Sequence, residues 1–126
     1  SAVVGMPGIE TSLPALLSEG VNKGRLSLER VVDVTAHQPA RVFGLYPKKG
    51  TLQAGSDADL VVVDLEEARV VDANKNLHQG SDFSPFDGRT LTGWPVLTVL
   101  RGQVVMEGGE VTAAPGTGRF VPRVLG

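Results

Sequence analysis

The sequence predicts an α+β chain with its helices first and its strands after. Two observations carry that reading. Apolar residues recur at helical spacing up to Gly44, and beyond it the period shortens to that of strands. Glycine is frequent, at 16 of 126 residues, and most glycines stand beside short β-like runs, as turns and hairpins require.

The opening "SAVVGMPGIETSLPALL" puts Gly5, Pro7 and Gly8 directly before an apolar run. A free-standing domain seldom starts with a tight turn feeding straight into a helix, so the chain is expected to begin in the middle of something larger. Ile9, Leu13, Leu16, Leu17 and Val21 follow i, i+4, i+7, i+8 spacing and predict one buried helix face. Pro14 either sits in the first turn, where a missing N–H costs little, or kinks the helix. Gly20 and Gly24 bracket a stop. Ser27 is a suitable N-cap, and Glu29 places negative charge in the first turn of the next helix. Leu28, Val31, Val32 and Thr35 make a second stripe. Gln38-Pro39 should interrupt it, because a residue before proline is pushed out of the α region. A short helix from Pro39 to Phe43, closed by Gly44, completes the helical half.

"KKGTLQAGSDADLVVVDL" reads as two short strands joined by a Gly-rich turn. Leu60 to Val63 is an apolar, β-branched run expected to be buried on both faces. "ARVVDA" is a further strand, and residues 74–92 read as a long ordered loop. "VLTVLRGQVVMEGGEV" reads as a hairpin, with Val96 to Leu100 turning at Arg101-Gly102 into Val104 to Met106. A second turn at Gly108-Gly109 leads to Glu110–Thr112. The Pro/Gly-rich tail should lie against a surface.

Composition narrows the function. Twelve basic and 14 acidic residues leave a net charge of −2, without the basic footprint of a nucleic-acid binder. The apolar stretches are far shorter than the ~20 residues needed to span a bilayer. With no cysteine there is neither a disulfide framework nor a thiolate metal site.

No catalytic constellation assembles from the residues alone. Asp57, Asp59 and Asp64 could pass for a carboxylate metal site, but carboxylates flanking a turn and a strand more simply accept from backbone N–H groups. His37 and His78 are the only histidines, whereas a catalytic zinc takes about three protein ligands. His37 is read as a helix-end residue, His78 as a loop residue and Lys48-Lys49 as a solvated turn. Trp94 and Phe86 are packing anchors. "GTGR" lacks the succeeding helix and the Gly-Lys-Ser/Thr of a phosphate loop.

Four blocks then carry a resemblance: "GMPGIETSLP", "GRLSLERVV", "PARVFGLYPKKGTLQAGSDADLVVVD" and "SPFDGRTLTGWPVLTVLRGQVVMEGGEV". In order and spacing they resemble the C-terminal portion of the cyclic amidohydrolases, the group of dihydroorotase, dihydropyrimidinase (hydantoinase) and allantoinase. The opening block most resembles dihydroorotases. The Lys-Lys-Gly turn and the stretch from Ser84-Pro85-Phe86 onward resemble hydantoinases.

The resemblance implies a (β/α)₈ barrel with a small β-sandwich domain. Residues 1–50 would be the helical C-terminal end of the barrel, and residues 51–126 the β-rich small domain and tail. Val3 to Pro7 would be a loop over the active site, with Val4, Gly5 and Met6 binding the substrate ring through backbone groups. Glycine suits such close approach, and an alternative is that Gly5 and Gly8 only shape a turn. The family's metal ligands and proton-shuttling aspartate would all lie upstream, so the resemblance assigns this chain no catalytic residue and no metal ligand. It implies a divalent metal cofactor, zinc, bound elsewhere. It also implies a cytoplasmic, homo-oligomeric hydrolase of a small cyclic amide or ureide, its barrel completed by the remaining chain, with neither nucleic acid nor membrane as partner. Dihydroorotate/carbamoyl-aspartate interconversion in pyrimidine synthesis is the first activity so implied, with dihydropyrimidinase/hydantoinase or allantoinase as alternatives. A non-catalytic amidohydrolase-like assembly module is the reading from another class. An independent α+β domain with an unrelated ligand is a third.

Overall fold

The structure, a computed structural model, describes residues 5–78 and 80–124. Helices α1 (Ile9–Ala15), α2 (Leu28–Val32) and α3 (Gln38–Val42) precede strands β1 (Leu60–Val70), β2 (Thr90–Leu100), β3 (Gln103–Glu107) and β4 (Glu110–Val111). π-helical turns at Leu16–Val21 and Asp33–His37 extend α1 and α2. The strands form one sheet in the order β1-β2-β3-β4. Helices first and strands after is the α+β order expected. The chain divides into two compact units, Ser1–Leu26 with Asp64–Trp94, and Ser27–Val63 with Pro95–Gly126.

In the first unit the buried face of α1 differs from the expected stripe. Thr11, Pro14 and Leu17 are buried, whereas Ile9 is 96% exposed. The π-turn accounts for part of the change. Asn22 N–H bonds to the Leu17 carbonyl at 2.8 Å, an i→i−5 step that rotates the succeeding residues. Gly20 is thereby buried where Val21 was expected. Pro14 lies inside α1 rather than in its first turn. The stop falls where expected, with Gly24 at φ +66°. Asn22 then donates its side-chain amide to both Leu65 O at 3.1 Å and Thr92 O at 2.9 Å.

The core of this unit is Val71, Leu91 and Trp94, with Ala15, Leu77 and Phe86 packed against it. Trp94 Nε1–H donates to Leu91 O at 2.8 Å. The loop between β1 and β2 is ordered by its own side chains. Asp87 accepts from Ala73 N–H at 2.9 Å and Ser84 N–H at 2.8 Å, and Asn76 donates to Val70 O at 2.6 Å.

In the second unit Ser27 caps α2 as expected, its hydroxyl accepting from Arg30 N–H at 3.2 Å. Only Val31 of the second stripe is fully buried. Gln38 does not break the helix: its φ of −63° and ψ of −45° are helical. The π-turn before it carries the chain on, and Pro39 falls in the first turn of α3, where no amide donor is missed. Gly44, at φ +69°, closes α3 by donating to Arg41 O at 3.2 Å.

The first of the two strands expected after Gly44 is absent. Residues 45–59 satisfy their backbone through turns instead, such as Lys49 N–H to Leu45 O at 2.9 Å and Asp57 N–H to Lys48 O at 2.9 Å. β1 runs unbroken through the segment expected to start a separate strand. Nor is it buried on both faces, since Val61 and Val62 are 46% and 45% exposed on what is the edge strand of the sheet. Both hairpin turns are as expected. Arg101 and Gly102, at φ 50° and 78°, link β2 to β3, and Gly108 and Gly109, at φ 59° and 91°, link β3 to β4. Two central residues at positive φ match the twist of the flanking antiparallel strands. A register shift between Thr98 and Val99 leaves Val105 between paired residues.

Candidate functional site

Of the residues expected to face a substrate, Gly5 and Met6 are exposed, and Val4 lies outside the described residues. Gly5 has φ +95°, and a Cβ there would meet nothing within 4 Å. Two residues past Gly8, Glu10 uses both carboxylate oxygens on one partner. Oε2 accepts from His78 N–H at 2.7 Å, and Oε1 lies 2.9 Å from His78 Nδ1. The contact is a hydrogen bond in the tautomer that carries its hydrogen on Nδ1. Sequence reading places His78 in a loop and passes over Glu10. The partners stand 68 residues apart, so no local pattern joins them.

Asp59 and Asp64 accept from backbone N–H groups, as the plainer reading expects, whereas Asp57 pairs with the Lys49 ammonium instead. Asp59 Oδ1 accepts from Arg101 N–H at 2.8 Å, and Asp64 Oδ1 accepts from Glu66 N–H at 2.8 Å and Glu67 N–H at 3.2 Å. Lys49 corrects the expectation of a solvated turn. Its side chain is only 17% exposed, and its ammonium bonds Asp57 at 2.8 Å and also Asp59. The arrangement pins the turn before β1 to the β2–β3 hairpin. Arg101 extends it, donating from Nη2 to Thr117 O at 2.6 Å.

Burial pulls the Lys49 pKa down, but the hydrogen bonds to Asp57 and Asp59 outweigh it and leave it above the usual 10.5. The hydrogen bond from Lys49 holds Asp57 below the usual 3.8. A raised lysine contributes stability below 10.5 and loses it as pH climbs through its folded value; a lowered aspartate contributes above 3.8 and loses it as pH falls through its folded value. Lys49→Met should therefore destabilise the protein by about 1–2 kcal/mol at neutral pH, the scale of lost charge-assisted hydrogen bonds. Denaturant melts at several pH values should show the gap narrowing below 3.8 and above 10.5.

His37, expected at a helix end, closes the π-turn but lies within a helical run that continues into α3. Its ring meets Tyr46 edge-on, with centroids 5.1 Å apart and planes at 80°, and Nδ1 lies 3.4 Å from Gly50 O. Among the described residues no group of three or more His, Asp or Glu is placed to hold a metal ion, and no helix is long and apolar enough to cross a membrane. The geometry therefore offers an exposed backbone loop beside a carboxylate–imidazole pair, and a separate structural ion network.

The sequence pattern of the amidohydrolase family matches residues 8–105. The chain belongs to the amidohydrolase family. It is 57% identical over 121 residues to an L-hydantoinase of Paenarthrobacter aurescens, covering 94% of this chain and 26% of that protein. It is 43% identical over 119 residues to a D-phenylhydantoinase of Escherichia coli O1:K1, with the same coverage. The solved structure of the L-hydantoinase (dihydropyrimidinase) from Arthrobacter aurescens superposes with a TM-score of 0.93 at 56% identity, over 97% of this chain and 27% of that one. This amidohydrolase chain thus spans about a quarter of the length of the relatives it matches. Their names correct one expectation. The opening block leans toward dihydroorotase, but these relatives are hydantoinases and a dihydropyrimidinase, the branch that stands as the alternative.

Proposed function

We propose that this chain is the C-terminal part of a cyclic amidohydrolase that opens hydantoin and dihydropyrimidine rings. The observation that carries the reading is the 57% identity to an L-hydantoinase across nearly the whole chain. In the reaction, water adds to a ring amide carbonyl, the carbonyl–nitrogen bond breaks, and the nitrogen leaves with a proton. Residues 1–50 are assigned to the end of the barrel and 51–126 to the small β-rich domain. Val4, Gly5 and Met6 are assigned to ring binding through backbone groups. The exposed, positive-φ Gly5 supports that assignment, since a position without a side chain lets main chain approach a planar ligand closely.

The described residues do not form a metal site. The divalent metal of this reading, zinc, belongs to residues outside this chain, and metal analysis of the protein at its full natural length should find it in stoichiometric amount. The same reading makes the protein a cytoplasmic homo-oligomer.

The test is a substrate panel on the full-length protein: hydantoin, both enantiomers of 5-phenylhydantoin, dihydrouracil, dihydroorotate and allantoin. Hydantoins or dihydrouracil should be opened with kcat/KM at least about tenfold above dihydroorotate and allantoin, a difference of about 1.4 kcal/mol in transition-state binding. Preference for dihydroorotate or allantoin would overturn the reading. Hydrolysis of none, with no bound metal, would favour a non-catalytic assembly module.

A further inference from the structure

We propose that Glu10 and His78 form a clasp that positions the Gly5–Met6 loop for ring binding, an inference that rests on the cyclic-amide reading above. Side-chain packing within the described residues does not fix Gly5 or Met6. A Cβ on Gly5 would touch nothing within 4 Å, and Met6 is 72% exposed. The loop takes its position from α1, into which it runs. Gly8 starts α1, its carbonyl accepting from Ser12 N–H at 2.9 Å and from the Ser12 hydroxyl. Thr11 and Pro14 are buried. The first turn of α1 is thus a stiff base from which Pro7, Met6 and Gly5 extend.

Glu10 ties that base to the loop that carries His78. Two hydrogen bonds from one residue to the two oxygens of one carboxylate define both the position and the plane of the carboxylate. His78 in turn sits on a loop braced by Asp87 and Asn76. Displacing Glu10 would let the start of α1 move, and the loop ahead of it would move with it. Glu10 and His78 need not touch the ring for this. Their role is positioning, and a contact made equally to substrate and transition state shows in KM rather than in kcat.

The experiment uses the full-length protein and hydantoin as substrate. Glu10→Ala removes both hydrogen bonds and should raise KM about tenfold, with kcat held within about threefold. His78→Ala keeps the backbone bond and should raise KM about threefold. His78→Asn, whose amide N–H can replace Nδ1–H, should return KM to within about twofold of the parent. Hydrogen exchange over residues 5–12 should quicken in Glu10→Ala and recover in His78→Asn relative to His78→Ala. Unchanged KM in folded Glu10→Ala, a fall in kcat alone, or Asn no better than Ala at position 78 would each overturn the clasp. If the parent protein opens no cyclic amide, the functional reading falls by itself. Exchange over residues 5–12 then decides the clasp: unaltered protection in Glu10→Ala overturns it. If Glu10→Ala does not fold, the His78 pair carries the same comparison.

Discussion

Trp94→Ala should lower stability by about 3–5 kcal/mol, the range for truncating a large buried aromatic. The indole is 4% exposed and forms the core of its unit with Val71 and Leu91, against Ala15, Leu77 and Phe86. Three losses coincide. The cluster loses the apolar area that excludes water, and surrounding side chains relax only partly into the space. Leu91 O loses the Nε1–H donor at 2.8 Å. The Arg69 guanidinium, 5.1 Å from the ring centroid, loses its aromatic face. Trp94→Phe separates these contributions. It keeps most of the apolar contact but removes the N–H donor, and should cost about 1–2 kcal/mol. Trp94 is the one tryptophan of the chain, so unfolding is tracked by circular dichroism rather than by its fluorescence. A loss below about 1 kcal/mol for Trp94→Ala would mean that the indole does not organise this core.

Local physics decides the parts of this fold that are legible in the sequence. The Ser27 cap, the Gly24 and Gly44 helix ends and both tight turns at Arg101-Gly102 and Gly108-Gly109 depend on a few neighbouring residues. Each is readable from residue type and position. The burial of α1 is not. Its stripe of Ile9, Leu13, Leu16, Leu17 and Val21 assumes about 3.6 residues per turn throughout, and the π-turn at Leu16–Val21 breaks that period for the last of them. Nothing local marks such a turn. Gln38 stays helical against the preference of a pre-proline residue because tertiary context overrides a weak prior.

The candidate site divides in the same way. Reading the aspartates of "GSDADLVVVD" as backbone acceptors needs only their place beside a turn, and the structure agrees for Asp59 and Asp64 but not for Asp57, which pairs with Lys49. Lys49 escapes a local reading because its two carboxylates stand eight and ten residues further on, brought back by turns where the composition suggests a strand. Glu10 escapes it because its partner is 68 residues away. Long-range polar pairs leave no periodic trace in a sequence. The branch of the family is legible only in part, since the opening block points to dihydroorotase and the later blocks to hydantoinase. The relatives matched along nearly the whole chain are named hydantoinases.

Gly93→Ala should cost about 2–6 kcal/mol, although it adds a single methyl group. Two penalties combine. Gly93 has φ +106°, a conformation that L side chains rarely adopt. Holding alanine there stores about 1–3 kcal/mol of strain. The new Cβ would also stand 2.7 Å from Leu17 Cβ and 3.4 Å from Leu17 Cδ1. Overpacking of this kind costs about 1–3 kcal/mol. Leu17 has no room to retreat: it is fully buried, and the colliding atom is its own Cβ, tied directly to the backbone of the π-turn. A double-mutant cycle tests which atom resists. Leu17→Ala alone should cost about 2–5 kcal/mol by opening a cavity. It keeps Cβ, so it should not rescue Gly93→Ala, and the two losses should nearly add. A strong rescue would place the resistance in the outer leucine carbons instead, and would show that the helical backbone yields where β2 meets it. Near-additivity would show that the helix and the strand approach as closely as they do because position 93 has no side chain.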